Sequence, residues 1–140
     1  MLEEKSCGAV VFTLINGQRH YVIVRQLDGH HGFPKGHVEG EETELMTASR
    51  EIKEETGLEP EFIKGFRYVD EYLLPHNNNI KKQVVYFLAE YSQQKLVAQA
   101  AEISQIELLP YNAAYKRLEF PGIRAVLQLA ERYLQRKAPN

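Results

Sequence analysis

Several residue types and patterns are scarce in this chain of 140 residues. Tryptophan is absent, and Cys7 is the only cysteine, so no internal disulfide can form and a reducing compartment is expected. No apolar run approaches the roughly 20 residues that a membrane-spanning helix needs. Acids precede any apolar stretch at the N-terminus, unlike in a signal peptide. We therefore expect a cytoplasmic protein without a membrane partner.

The chain also has no large excess of charge of one sign, because it contains 17 Lys and Arg residues and 19 Asp and Glu residues, a formal net charge of −2. This balance gives no support for a nucleic-acid partner. A phosphate-rich ligand would have to be held by a few local cations, a metal ion, or both.

The length predicts one domain over residues 1–140. Asn16-Gly17 between two apolar runs is a strong hairpin signal, and Leu45, Ala48 and Ile52 at i, i+3 and i+7 predict one helix face. Gly57 is well placed to end that helix in a left-handed conformation. The predicted strands are 7–15, 20–25, 61–74, 83–91 and 106–109, the loops 28–42 and 76–82, and the helices 43–56, 110–117 and one from about 121. This mixture predicts an α/β (α+β) fold, with helices packed on the faces of a sheet.

The most informative residues are three glutamates in the first predicted helix. Glu51, Glu54 and Glu55 lie at i, i+3 and i+4, which places three carboxylates close together, and we expect them mainly opposite the apolar stripe. Like charges at this spacing repel, and helix dipoles disfavour anions toward the C-terminus. A divalent cation such as Mg²⁺ or Mn²⁺ would relieve both costs. A glutamate-rich, solvated helix face is the simpler alternative.

A longer pattern favours the metal. Residues 36–58 read GHVEGEETELMTASREIKEETGL. They match Gly-x5-Glu-x7-Arg-Glu-U-x-Glu-Glu-x-Gly-U, where U is aliphatic, at every fixed position. This is the motif of the Nudix hydrolases, and the order of strands and helices also resembles the α/β/α sandwich of that family, a mixed β-sheet flanked by helices.

The resemblance implies a role for each matched residue. Glu51, Glu54 and Glu55 would bind Mg²⁺, with Mn²⁺ as a substitute, and Gly36 would add its backbone carbonyl. Arg50 would orient a catalytic glutamate, and Glu42 would support the helix. The general base would be Glu102, which also corresponds to a family glutamate at the metal site, or Glu54.

A narrower resemblance concerns substrate. The run HHGFPKGHVE at 30–39 is similar to the asymmetrical diadenosine tetraphosphate hydrolases of the Nudix family. Tyr72 resembles a tyrosine that stacks on adenine, and Lys82 resembles a lysine that reaches the phosphate chain. We also expect Lys35 to contact phosphate, His31 to contact phosphate or act as an acid, and Phe120 to offer a second stacking surface. Each of these side chains has an ordinary structural alternative. The shorter segment before Gly36 and the longer 75–82 loop depart from that subfamily, which puts substrate preference in doubt.

These observations predict a Mg²⁺-dependent hydrolase of a nucleoside polyphosphate, with diadenosine tetraphosphate cut to ATP and AMP. Other Nudix substrates stay open: damaged nucleoside triphosphates, nucleotide sugars and RNA 5′ ends. A non-catalytic nucleotide sensor and a structural partner module are further alternatives. The expected partner is a small nucleotide, and the expected state a monomer or simple homodimer.

Overall fold

A computed structural model describes residues 2–98 and 103–137. Its centre is a mixed eight-stranded sheet. The strands are β1 (Leu2–Ile15), β2 (Gln18–Gln26), β3 (His31–Gly32), β4 (Lys35–His37), β5 (Glu61–Phe62), β6 (Tyr68–Leu74), β7 (Asn77–Glu90) and β8 (Ile103–Pro110). The helices are α1 (Glu44–Thr56), α2 (Tyr111–Arg117) and α3 (Pro121–Lys137). The predicted class, a mixed sheet flanked by helices, is confirmed.

Strand β1 organises the sheet. It turns through Asn16 and Gly17, whose φ angles of 52° and 78° suit a tight hairpin, into antiparallel β2. On its other side it runs parallel to β7, with Cys7 opposite Val85. The N-terminal half of β1 also pairs with β4, while β6 pairs with β7 and β8 with β2.

The core lies on both faces of β1, because every residue from Ser6 to Thr13 is buried. Side chains alternate between faces along a strand. Cys7 packs in one cluster with Ala48 of α1, whereas Val10 packs on the opposite face against α2 and α3. The α3 residues in that second cluster are Val126, Leu127, Ala130 and Leu134, with Ile123 partly buried beside them. The result is a helix–sheet–helix sandwich.

Some predicted boundaries were wrong. The segment 76–82 is not a loop, because β7 begins at Asn77 and the turn occupies residues 75–76. Antiparallel pairing with β6, such as Tyr72 with Lys82, continues the ladder through polar residues of weak strand propensity. The predicted loop 28–42 contains β3 and β4, and the stretch 61–74 is divided into β5 and β6. In residues 2–98 and 103–137, no helix has the length and apolar character needed to cross a membrane.

Candidate active site

Helix α1 is well defined at both ends. The Thr43 side chain caps its start by accepting a hydrogen bond from the Met46 backbone N–H at 3.2 Å. Gly57 ends it with φ 77°, a left-handed conformation that glycine adopts without steric cost, and its N–H donates to the Lys53 carbonyl. The helix is therefore a rigid element on which side chains can be placed precisely.

Two of the three glutamates on this helix are buried. Glu51 is 6% exposed and Glu55 2% exposed, while the Glu54 side chain is 55% exposed. The expectation that all three lie opposite the apolar stripe was wrong. At about 100° per residue, Glu51 and Glu55 fall within about 60° of Ala48, on the face that packs against the sheet.

The same rotation leaves Leu45 at the margin of the buried face. Leu45 is 47% exposed, although the spacing had placed it in line with Ala48 and Ile52, both fully buried. Glu51 and Glu55 therefore occupy part of the buried helix face on which Leu45 was expected. Burying a carboxylate costs free energy unless a cation or hydrogen-bond donor compensates.

Gly36 supports one of these buried carboxylates. A Cβ atom added to Gly36 would coincide with the Glu51 carboxylate group. Only a residue without a side chain lets the β4 backbone approach Glu51 so closely. The Gly36 backbone therefore lies directly against the Glu51 carboxylate.

Arg50 holds this region together with its planar guanidinium group. Its Nε and Nη2 donate to the two carboxylate oxygens of Glu42 at 2.7 and 3.0 Å. Its Nη1 donates to Glu51 at 3.0 Å and lies 3.2 Å from a Glu54 oxygen. Its Nη2 also donates to the His37 backbone carbonyl at 3.0 Å. The fork thus fixes three carboxylates and ties α1 to β4.

Glu42 is the most strongly held partner of that fork. Its carboxylate accepts from Arg50, from the Glu39 backbone N–H at 3.0 Å and from the buried Thr47 hydroxyl at 2.8 Å. These hydrogen bonds, of which those from Arg50 have the largest effect, lower the pKa of Glu42 to about 2. Glu42 is therefore ionised at neutral pH and supports α1, in the role the motif implied.

The donor set suits a hard divalent cation by its chemistry. Glu51, Glu54, Glu55 and the Gly36 carbonyl offer only oxygen atoms, the ligands that Mg²⁺ and Mn²⁺ prefer. Over residues 2–98 and 103–137, no three carboxylate, imidazole or thiolate groups already converge on one point. Glu102, our candidate base and additional ligand, lies outside the described residues. The chemistry of these residues therefore fits a divalent metal ion, which would bring their oxygen atoms together on binding.

A cleft of about 580 Å³ lies on the other face of the sheet, and it brings together three of the predicted substrate contacts. Lys35, Tyr72 and Phe120 all line it. The two aromatic side chains are 43% and 44% exposed, so their rings are accessible. An aromatic-lined cleft with a cation at its wall suits a nucleotide, whose base can stack and whose phosphates are anionic.

Strand β4 joins this cleft to the glutamates of α1. Lys35 and Gly36 are consecutive, so they serve opposite faces of the strand: Lys35 the cleft, Gly36 the Glu51 carboxylate. Gly8 of β1 permits the pairing, because a Cβ there would collide with the Pro34 carbonyl and Lys35. A ligand that crosses the edge of β4 could therefore meet both regions.

Lys82, expected to reach phosphate, is a buried side chain with protein partners. It is 6% exposed, does not line the cleft, and its ammonium group donates to Ser6 Oγ at 2.8 Å and to His37 Nε2 at 2.9 Å. Burial lowers the pKa of the Lys82 amine, and the positive charge of Lys35 acts in the same direction. Ser6 and His37 thus hold the Lys82 ammonium group, and its contact with phosphate stays a prediction.

The two adjacent histidines have different surroundings. His31 donates its backbone N–H to Glu119 at 2.9 Å, its ring lies 3.0 Å from the same carboxylate, and it does not line the cleft. His30 lines the cleft, and its ring packs edge-on against Phe120 with the ring centroids 4.9 Å apart. His31 is thus held by Glu119, and its contact with phosphate or role as an acid stays a prediction.

Sequence reasoning also missed a carboxylate inside the cleft. Asp70 lines it beside Tyr72, and burial raises the pKa of Asp70. The alternation of β6 was the available signal, because residues i and i+2 share one face of a strand. Nothing in the sequence indicated that Gly122 of α3 would pack against this side chain.

Comparison with known proteins identifies the family. A family model described as the NUDIX domain matches residues 5–129. The chain belongs to the Nudix family. With this membership, the prediction of a hydrolase that acts on phosphoric anhydrides is confirmed.

Individual relatives agree in sequence and fold. The asymmetrical bis(5′-nucleosyl)-tetraphosphatase of Mus musculus is 30% identical to this Nudix chain over 142 residues, covering 93% of this chain and 95% of the mouse protein. The crystal structure of a C. elegans Ap4A hydrolase binary complex superposes with a TM-score of 0.86 at 21% identity, covering 94% of this chain and 98% of that one. The NUDIX domain of Shewanella oneidensis NrtR, complexed with ADP ribose, gives 0.77 at 21% identity, covering 99% and 90%. At these identities the two structural likenesses concern the fold alone.

Proposed function

We propose that this Nudix hydrolase cleaves diadenosine tetraphosphate asymmetrically, to ATP and AMP, with Mg²⁺ as cofactor and Mn²⁺ as a substitute. The observation that carries the proposal is the meeting of two regions at β4. An aromatic cleft with Lys35 lies on one side, and the Glu51 carboxylate against Gly36 lies on the other. The name of the mouse relative supports the choice of substrate.

Glu51, Glu54, Glu55 and the Gly36 carbonyl would hold the metal. When bound, a divalent ion neutralises phosphate charge and lowers the pKa of a coordinated water. The buried positions of Glu51 and Glu55 suit permanent ligands, because a buried carboxylate gains most from a neighbouring cation.

The remaining chemistry falls to residues of the chain itself. Glu54 is the exposed member of the trio, and Arg50 holds its carboxylate, so it can accept a proton from an attacking water. Glu102 is the other candidate for this role. Lys35 would neutralise the phosphate chain where it leaves the cleft, and Tyr72 and Phe120 would stack on a base, each stack contributing about 1–3 kcal/mol.

The test is hydrolysis of a panel of dinucleoside polyphosphates with Mg²⁺, with products separated by chromatography and the reaction repeated in ¹⁸O-water. We expect ATP and AMP in equal amounts, with the label located on one product only. Two molecules of ADP would indicate symmetrical cleavage and would contradict the proposal.

The same panel separates the alternatives when it includes nucleoside triphosphates, 8-oxo-dGTP, nucleotide sugars and capped RNA. A strong preference for 8-oxo-dGTP would replace the dinucleotide proposal with repair of damaged nucleotides. Tight nucleotide binding with Mg²⁺ but no phosphate release would favour a sensor. We further propose that the chain acts in the cytoplasm on a small nucleotide, as a monomer or simple homodimer.

A further inference from the structure

The cleft holds an acidic side chain that the proposed chemistry does not use. Asp70 projects from β6 on the same face as Tyr72, two residues away, and both line the cleft. Gly122, two residues after Phe120, packs against the Asp70 carboxylate so closely that a Cβ there would lie 3.1 Å from an oxygen. The carboxylate therefore lies in the same cleft as the two aromatic residues that would stack on a base.

Asp70 and Asp28, the two aspartates of the cleft, differ in their hydrogen bonding. Asp28 accepts from the His30 backbone N–H at 2.9 Å and lies 3.3 Å from its ring. Among residues 2–98 and 103–137, no hydrogen bond or ion pair reaches Asp70, and desolvation alone raises its pKa. A partly buried carboxylate without a donor costs free energy that a bound ligand could recover.

We propose that Asp70 selects the base that enters the cleft and favours guanine over adenine. This inference rests on the proposed function, because it assumes that a nucleotide occupies the cleft. It also refines that function: diadenosine tetraphosphate is a substrate, and its guanine counterpart is a better one. An ionised carboxylate only accepts hydrogen bonds. Guanine presents two adjacent donors, its N1–H and its 2-amino group, which match the two carboxylate oxygens. Adenine presents one donor, the 6-amino group, beside the acceptor N1, so one oxygen would face a lone pair.

The substitution Asp70→Asn tests this proposal, because asparagine has a different hydrogen-bonding pattern from aspartate. An amide offers one donor and one acceptor, the pattern that pairs with adenine and not with the two donors of guanine. Asp70→Asn keeps the size and shape of the side chain while it exchanges one acceptor for a donor. The preference for guanine should therefore be lost, whereas a purely structural aspartate would change stability and leave the preference alone.

Glu71→Gln is the matched control. Glu71 is the next residue of the same strand and faces the other way, where it pairs with Lys81 at 3.0 Å and accepts from Gln83 at 3.1 Å. The variant removes one charge from the same strand without altering the cleft. It should leave the base preference as in the wild type.

The experiment compares kcat/KM for diguanosine and diadenosine tetraphosphate in the three proteins. We expect the wild type and Glu71→Gln to favour the guanine substrate by about tenfold, the effect of one well-matched bidentate contact. Asp70→Asn should bring the ratio to about one or below. An equal ratio in the wild type, or an unchanged ratio in Asp70→Asn, would overturn the assignment.

A second measurement tests the role of Asp70 independently of whether the proposed function is correct. Binding of GTP and ATP is measured by calorimetry with a chelator present, so that no turnover occurs. The wild type should bind GTP about tenfold more tightly, and Asp70→Asn should lose that difference. This result would stand even if no dinucleoside tetraphosphate were hydrolysed, while equal affinities in the wild type would refute the role of Asp70 whatever the substrate.

Discussion

At the scale of single residues, the missing side chain at Gly36 matters as much as the charges around it. Its backbone lies where a Cβ would meet the Glu51 carboxylate. The motif already required glycine here, but sequence spacing could not say what the glycine touches. The contact depends on how β4 crosses α1, and that crossing is set by tertiary packing.

Gly36→Ala tests this contact. The added methyl group would displace Glu51 or push β4 away, and we expect turnover to fall by about 100-fold while the fold is retained, because a displacement of about 1 Å in an active site is that costly. Steady-state kinetics and circular dichroism measure the two effects. Gly32→Ala is the control, since a Cβ there would make only an ordinary contact of 3.8 Å with Ile123. Equal activity in both variants would contradict the role of Gly36.

Glu54→Gln tests the proposed base. We expect turnover to fall by about 10²–10⁴-fold, the usual contribution of a general base, with no loss of thermal stability because the side chain is exposed. Glu41→Gln, an exposed glutamate just before the helix, should keep wild-type turnover. If Glu54→Gln also keeps it, the base must be sought elsewhere, with Glu102 first.

At the scale of elements, helix α1 was predicted almost to the residue, because its signals are local. Thr43 supplies the cap, Gly57 the stop, and both follow from their chemistry. Which way the helix faces was not predictable, since Glu51 and Glu55 violate the rule that charges avoid buried faces. A functional requirement overrides the packing pattern at such positions.

Thr43→Ala measures what the cap contributes. Loss of the hydrogen bond to Met46 should lower the free energy of unfolding by about 1 kcal/mol, whereas Thr43→Ser, which keeps the hydroxyl, should cost much less. Urea denaturation of the three proteins gives the comparison. Equal losses for alanine and serine would show that the hydroxyl is not the group responsible.

The 77–82 segment, unlike α1, could not be predicted from local signals. Asn, Lys and Gln at the start of β7 carry no strand signal, yet they pair with β6 in the structure. Such pairing is a long-range property, so the sequence predicted a loop. The same extension places Tyr72 across from Lys82, while β6 brings Asp70 into the cleft.

At the scale of the whole molecule, the family and its sandwich fold followed from one 23-residue motif and the order of elements, but the roles of distant side chains did not. Ligand contacts were assigned to Lys82 and His31 by resemblance and stay predictions. In the structure these side chains contact Ser6, His37 and Glu119. Their partners come from other strands and loops, which no local pattern reveals.

The stability of the whole fold should depend on pH through the ionisation of Glu42. Its folded pKa of about 2 is below the value of about 4.3 for an unfolded glutamate. The stabilisation is therefore fully present above pH 4.3 and is lost as the pH falls through 2. Glu42→Gln should make the pH dependence of unfolding between pH 5 and 2 shallower, by up to about one proton. An unchanged slope would mean that Arg50 does not hold Glu42 in solution.

The most direct test of the whole scheme asks whether a divalent ion binds among the glutamates of α1. Crystals soaked in Mn²⁺ would be measured by anomalous scattering, so that the ion is located without reliance on activity. We predict a peak in contact with carboxylates of Glu51, Glu54 and Glu55, close to the β4 edge of the cleft. A manganese-free helix, with those side chains turned toward the solvent or toward Arg50 alone, would contradict a metal-dependent hydrolase.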